Sequence, residues 1–249
     1  MKNAIDSVAN GSPMAKEEGA FRWWPVLLAM SLPFVSSLFY FVLFSEAAWA
    51  QVLYSMTKVF QVVWPVLALR WILKGRFRWP ALWPPGSWRA FSLGVASGLV
   101  IVVLLAVAWW TPFRDVVIGS ADKIRDKVEP LGVLNWYWTF GLFLAVVHSF
   151  LEEYYWRWFV FGRLRQRLPV WRAHVLAGAA FASHHIIITT QYFPLGWGIV
   201  FGSMVGLGGV LWSVLYVRQK TLAGAWISHV MVDLGILSFG HKILFGTWI

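Results

Sequence analysis

The 249 residues are 59% hydrophobic and 13% charged, with a mean hydropathy of +0.64; a soluble domain of ordinary composition, with about a quarter of its residues charged, is excluded. The formal net charge is +10, from 21 lysines and arginines against 11 acids, but the basic residues gather in short loops between apolar runs, which is a topology signal and not a nucleic-acid footprint. The chain has no cysteine, so disulfides, thiolate zinc sites and cysteine nucleophiles are excluded as well.

Residues 1–20 are polar, small and mixed in charge, and read as a flexible tail. The remainder, 21–249, reads as one transmembrane domain. Apolar runs follow at 24–45, 50–73, 88–110, 133–162, 173–190, 195–217 and 221–240. Most reach the roughly 20 residues that a helix needs to cross a hydrocarbon core of about 30 Å. The fold expected is therefore all-α: a polytopic transmembrane helical bundle of seven helices. It becomes eight if the end of the chain adds a partial element, although Ile243 to Ile249 is too short to span. Ala48-Trp49-Ala50 resembles a signal-peptide cleavage site, but the apolar run before it exceeds the 7–15 residues of an h-region, so an uncleaved helix is expected. Many of the 19 tryptophans fall near run ends, among them Trp23, Trp24, Trp49, Trp71, Trp79, Trp88, Trp109 and Trp110, at the headgroup level that indole favours.

Loop charges predict the orientation. Lys74, Arg76, Arg78 and Arg89 follow the second run, Arg163, Arg165, Arg167 and Arg172 the fourth, and Arg218 and Lys220 the sixth. The connections around Glu46 and Gln191 carry no basic residue. This alternation predicts a cytoplasmic N-terminus and an external C-terminus, in an integral protein of a bacterial inner membrane. Between the third and fourth runs, residues 111–132 mix acids and bases and predict a short amphipathic surface helix. Glycines at four-residue spacing, Gly94/Gly98 and Gly198/Gly202/Gly206, predict close helix–helix approach. No internal repeat of the kind common in transporters is evident.

The fourth run carries Glu152, Glu153 and Arg157. An ionised side chain at mid-membrane costs about 2.5–3.5 kcal/mol on insertion scales and is a functional-site candidate by default. Helical spacing pairs Glu153 with Arg157 four residues on. It turns Glu152 about 100° away, with His148 one turn earlier as its own neighbour. Two later runs carry polar groups at depth: Phe181 to His185, with His184, and His229 to Asp233. Counted at about 1.5 Å per residue from the nearest basic ends, Glu152 lies about 16 Å in, His185 about 20 Å, and His229 and Asp233 about 13 and 20 Å. All four converge on one level, as a single buried site between the fourth, fifth and seventh helices requires.

These residues, Glu152-Glu153-x-x-x-Arg157, Phe181-x-x-x-His185 and His229-x-x-x-Asp233, resemble the ordered EExxxR, FxxxH and HxxxN/D motifs of the CPBP family, which includes CAAX prenyl endopeptidases and bacteriocin-processing or self-immunity (Abi) proteins. The resemblance covers roughly 133–240, the motif core. It implies an intramembrane endopeptidase acting on a protein or peptide with a membrane-associated segment. Glu152 would be the general base, and His185 would help hold and activate water. His229 and Asp233 would face the oxyanion; Glu153 and Arg157 would form a structural pair, and Phe181 would pack beside the site. Asp233 stands where asparagine would donate through its amide, and it donates only when protonated.

Two further readings compete. The same Glu152, His185 and His229 offer the two histidines and carboxylate of a catalytic zinc site, so zinc is the alternative to a reaction without a cofactor; no HExxH pattern supports it. A non-catalytic immunity or partner-binding membrane protein, or an ion transporter, would use the acids otherwise. His184 reads as packing, His148 as a neighbour that tunes Glu152, His174 and His241 as interfacial, and Trp156 and Trp158 as packing or lipid-facing.

Overall fold

The structure, a computed structural model, describes residues 22–73, 79–84 and 87–248. The expected tail at 1–20 and the basic residues Lys74, Arg76 and Arg78 lie outside the described residues. Every regular element described is helical. In chain order they are α1 (Trp24–Leu43), α2 (Ala48–Ile72), α3 (Trp88–Ala108), α4 (Phe113–Gly119), α5 (Ala121–Val128), α6 (Leu134–Leu164), α7 (Val170–Tyr192), α8 (Leu195–Gln219) and α9 (Ala223–Phe245). The two short helices α4 and α5 occupy the segment expected to be amphipathic.

Six of these helices, α1, α2, α3, α6, α8 and α9, are long and apolar enough to cross a membrane. The fifth apolar run, which looked short in the sequence, is the 23-residue α7. Arg172, His174, His184, His185 and Gln191 lower its hydropathy without shortening it. Among the described residues the end of the chain adds no eighth helix: residues 241–245 continue α9, which closes on Gly246 in the left-handed region at φ 78°.

Local chemistry sets the breaks. Pro169 and Pro194 precede α7 and α8. Phe193, before Pro194, is extended at φ −114° and ψ 161°, because a proline's ring disfavours helical geometry in the residue before it. Lys220 ends α8 in the left-handed region. The Thr221 hydroxyl then donates to the Ala81 carbonyl at 2.7 Å, and the Leu222 N–H donates to the same oxygen at 3.1 Å. These bonds tie the α8–α9 connection to the α2–α3 connection at one end of the bundle.

Inside a membrane, helix association relies on close packing and polar contacts, since lipid is as apolar as the side chains. The glycine spacing serves this. A Cβ on Gly202 of α8 would stand 2.5 Å from the Ile186 Cα of α7, and one on Gly94 of α3 would stand 2.6 Å from the Gly224 carbonyl oxygen of α9. The backbones touch, so α7 with α8 and α3 with α9 form tight pairs. α6 runs among the others, and its residues from Glu152 to Leu164 are all buried. Trp156 and Trp158, at 1% and 7% exposure, are therefore packing groups and do not face lipid. Of the end-of-run tryptophans, Trp79, Trp88 and Trp110 are exposed, as an interfacial position requires. Trp109 turns inward against Phe239 and Trp248.

Replacing Gly202 by leucine is expected to part α7 from α8 and destabilise the protein by about 1–3 kcal/mol, the usual cost of overpacking. Thermal unfolding in detergent checks this. Gly196→Ala is the control, since a Cβ there meets nothing within 4 Å.

Candidate active site

The polar groups of α6 meet those of α7 and α9 through an unusual winding. α6 is not a uniform α-helix: Phe143–His148 and Glu153–Phe161 are wound as π-helix, with a short α segment, Ser149–Glu152, between them. π turns inside α-helices are frequent at functional sites. Here both adjacent acids address the same partner. Nδ1 of His229 lies 2.8 Å from Glu153 Oε1, while its Nε2 lies 3.7 Å from Glu152 Oε2. The expectation that Glu152 points away from Glu153 holds only in part, because it assumed the 100° step of a regular α-helix.

Glu153 is fully buried. The expected pair with Arg157 is present, Nε to Oε2 at 3.2 Å. Since a carboxylate only accepts, the bond to His229 places a proton on Nδ1 and leaves Nε2 facing Glu152 and Asp233. Asp233 Oδ1 is 3.6 Å from that Nε2. The Arg157 guanidinium lies over the Phe181 ring of α7 at 4.5 Å and near the Trp212 ring of α8 at 5.0 Å, contacts that attract a cation to an aromatic face. His229 stacks on Trp212 with centroids 3.9 Å apart, and Trp212 Nε1–H donates to Ser228 at 3.1 Å. One charged chain, Arg157–Glu153–His229, thus joins α6 to α9 and is bedded on aromatics from α7 and α8. Room for it depends on Gly209, where a Cβ would sit 2.9 Å from Phe181 and 3.2 Å from Arg157 Nη2.

Glu152 is buried at 6% exposure. Its Oε1 lies 3.3 Å from His148 Nε2, the neighbour expected one turn earlier. It also belongs to a cluster with His184 and His185 whose potential ligand atoms lie within 4.8 Å of one another. His185 Nδ1 donates to the Phe181 carbonyl at 2.9 Å, leaving its Nε2 free to accept. The Phe181-x-x-x-His185 spacing therefore has two uses: the phenyl ring carries Arg157, and the carbonyl one turn back orients the imidazole.

The structure brings Glu152, Glu153, Arg157, Phe181, His185, His229 and Asp233 together. It adds three residues that the sequence reading passed over. His184, read as packing, does stack on Trp156, with rings 8° from parallel and centroids 5.5 Å apart, yet it is also the third member of the Glu152 cluster. Trp212 gave no signal in the sequence. Lys58 did: it is a lysine within the second apolar run, on α2, and the field of Glu152 reaches it.

A donor set of two imidazoles and a carboxylate suits zinc. The set gathered here is Glu152, His184 and His185, with His184 in the place expected for His229, whose Nδ1 is engaged by Glu153.

Arg157→Met would leave Glu153 buried with no cation of fixed charge, an arrangement that costs about 3–5 kcal/mol when one partner of a buried pair is removed. Adding Glu153→Gln should recover part of that loss, and thermal unfolding of the two variants beside wild type measures it.

Among curated proteins and solved structures, none matches the chain. Residues 134–235 match the family model described as type II CAAX prenyl endopeptidase Rce1-like. The matched segment begins with α6, includes α7 and α8, and reaches Asp233 of α9, so it contains every one of the clustered motif residues. With six helices long and apolar enough to cross a membrane, the chain is an integral membrane protein whose residues 134–235 are similar to the Rce1-like type II CAAX prenyl endopeptidases.

Proposed function

We propose that the protein is a glutamic-type intramembrane endopeptidase that hydrolyses a peptide bond in a membrane-associated protein or peptide. It would do so within a bundle of seven spanning helices whose N-terminus faces the cytoplasm. The observation that carries this reading is the meeting of a buried Glu152 with His185 of α7 and His229 of α9 inside the family-matched segment.

Peptide hydrolysis needs a base for water, dipoles where negative charge develops, and a proton for the leaving amine. Water held between Glu152 and the free Nε2 of His185 gives a proton to Glu152. The resulting hydroxide attacks the scissile carbonyl carbon, and the carbonyl π electrons move to oxygen. His229, doubly protonated with its Nδ1–H held by Glu153, offers Nε2–H to that oxyanion, and protonated Asp233 offers a second donor. As the tetrahedral intermediate collapses, the C–N bond breaks and the proton on Glu152 passes to the departing nitrogen, leaving a new carboxyl group and a new amine. The Arg157–Glu153 pair takes no part in bond making; it holds the Nδ1–H of His229 and with it the orientation of the ring.

A metal-dependent variant is the second reading, favoured by the donor set at Glu152, His184 and His185. These side chains would hold a zinc ion, which would polarise the attacking water. Metal content of the purified protein, measured alongside activity after chelation, separates the two: the glutamic reading expects activity with less than stoichiometric metal.

Processing of a prenylated CAAX peptide in proteoliposomes tests the main proposal. Glu152→Gln is expected to lower turnover by at least about 100-fold, the lower end of what a positioned base contributes, with protein levels unchanged. Unchanged turnover would remove the mechanism. Asp233→Asn, which keeps a donor at that position, should retain more activity than Asp233→Ala.

A further inference from the structure

α8 carries none of the motif residues, yet one of its side chains lies against the imidazole that the proposed reaction uses for the oxyanion. Trp212 is buried at 3% exposure. Its indole stacks on His229 with centroids 3.9 Å apart and planes 16° from parallel. Phe181 meets the same imidazole only edge-on, at 6.5 Å and 85°.

The indole is itself pinned. Its Nε1–H donates at 3.1 Å to the hydroxyl of Ser228, the fully buried residue just before His229 on α9. Helical side chains lean toward the N-terminus of their helix, and the indole accordingly lies back over Gly208, one turn earlier: a Cβ there would stand 3.4 Å from Trp212 Cη2. The ring is thus bounded by its own helix, by α9 at its nitrogen and by His229 on its face.

The bond from His229 Nδ1–H to Glu153 Oε1, at 2.8 Å, sets where one edge of the imidazole points. It does not set the plane of the ring, because acceptor oxygens take hydrogen bonds over a broad spread of directions, and the imidazole can rock about that bond. A flat surface at stacking distance removes the rocking. Nε2 is then held toward Glu152 Oε2 at 3.7 Å and Asp233 Oδ1 at 3.6 Å.

We propose that Trp212 is a positioning residue that fixes the plane of His229, and with it the direction in which Nε2–H meets the oxyanion. It acts through His229 and not on the substrate. The catalytic consequence rests on the proteolytic reading; the fixing of the ring does not, and has its own readout.

The test uses the full chain in lipid nanodiscs with histidine carrying carbon-13 at Cε1. The six histidines give separate carbon–proton signals, and that of His229 is the one which His229→Gln removes. An indole stacked at 3.9 Å shifts this signal upfield, and Trp212→Leu is expected to return it downfield. The same variant should lower kcat for a prenylated CAAX peptide at least about tenfold, part of the 100–1000-fold that loss of an oxyanion donor costs, with KM within about twofold of wild type. Trp212→Phe keeps an aromatic face without the N–H, and Ser228→Ala keeps the indole without its acceptor. Each should lose less than Trp212→Leu, and the double variant should be no slower than Trp212→Phe alone, since both changes remove one bond. A His229 signal that stays in place in Trp212→Leu overturns the proposal whatever the kinetics. So does a moved signal with unchanged kcat, and so does a Trp212→Phe as slow as Trp212→Leu. A rise in KM at constant kcat would place Trp212 in substrate binding and overturn positioning. A shift lost in Trp212→Leu with no cleavage by wild type upholds the fixing of His229 and overturns the proteolytic reading. Where Trp212→Leu does not fold, Ser228→Ala decides: a moved His229 signal together with a lowered kcat upholds the proposal, and either one missing overturns it.

Discussion

Glu153 holds the centre of this molecule. Its carboxylate lies between the Arg157 guanidinium and His229 Nδ1 with no exposure to solvent. Desolvating these groups is costly, and mutual attraction repays the cost only with good geometry and further contacts. The aromatic faces of Phe181 and Trp212 supply such contacts for the cation. Helices from four parts of the sequence, α6, α7, α8 and α9, are thereby fixed in mutual register at mid-bundle. The groups around Glu152 inherit their positions from this arrangement: His229 is held by Glu153, and Phe181 carries both Arg157 and the carbonyl that orients His185.

The charge balance explains why the two neighbouring acids differ. Glu153 is occupied on both oxygens, by an arginine and a histidine. Glu152 meets only imidazoles, none of which carries a permanent charge. A carboxylate locked to arginine is poorly suited to exchanging protons. One surrounded by histidines can pass a proton on, as base catalysis and leaving-group protonation both require. Adjacent residues of one type thus stand in different surroundings, and the proposed division of roles between them rests on that difference.

Much of this was legible in the sequence. Six apolar runs long enough to span became the spanning-length helices, the glycine spacing became the α7–α8 and α3–α9 contacts, and the Glu153–Arg157 pair followed from helical periodicity. Four motif residues counted to one depth are close together in space. The misses have physical reasons. α7 looked short because its polar side chains, directed into the bundle, dilute its hydropathy. His184 was set aside because a 100° step from His185 suggests a different surface, yet two long rings on neighbouring residues can both reach a third group across a narrow gap. Trp212 left no trace because a buried tryptophan among 19 has no local pattern to mark it. Lys58 was overlooked although the rule that flagged Glu152 applies equally to a lone lysine in an apolar run.

The winding of α6 bears on how far its signature can be transplanted. In Glu-Glu-x-x-x-Arg, the letters imply an ordinary helix, but the nine residues from Glu153 to Phe161 follow a wider spiral. The fan of directions in which those side chains leave the axis belongs to that spiral. A designer who copied the six-letter string onto an ideal helical scaffold would reproduce the arginine contact and lose the shared grip of two carboxylates on one imidazole. What is inherited here is a local backbone shape together with its lettering, and neither is sufficient alone.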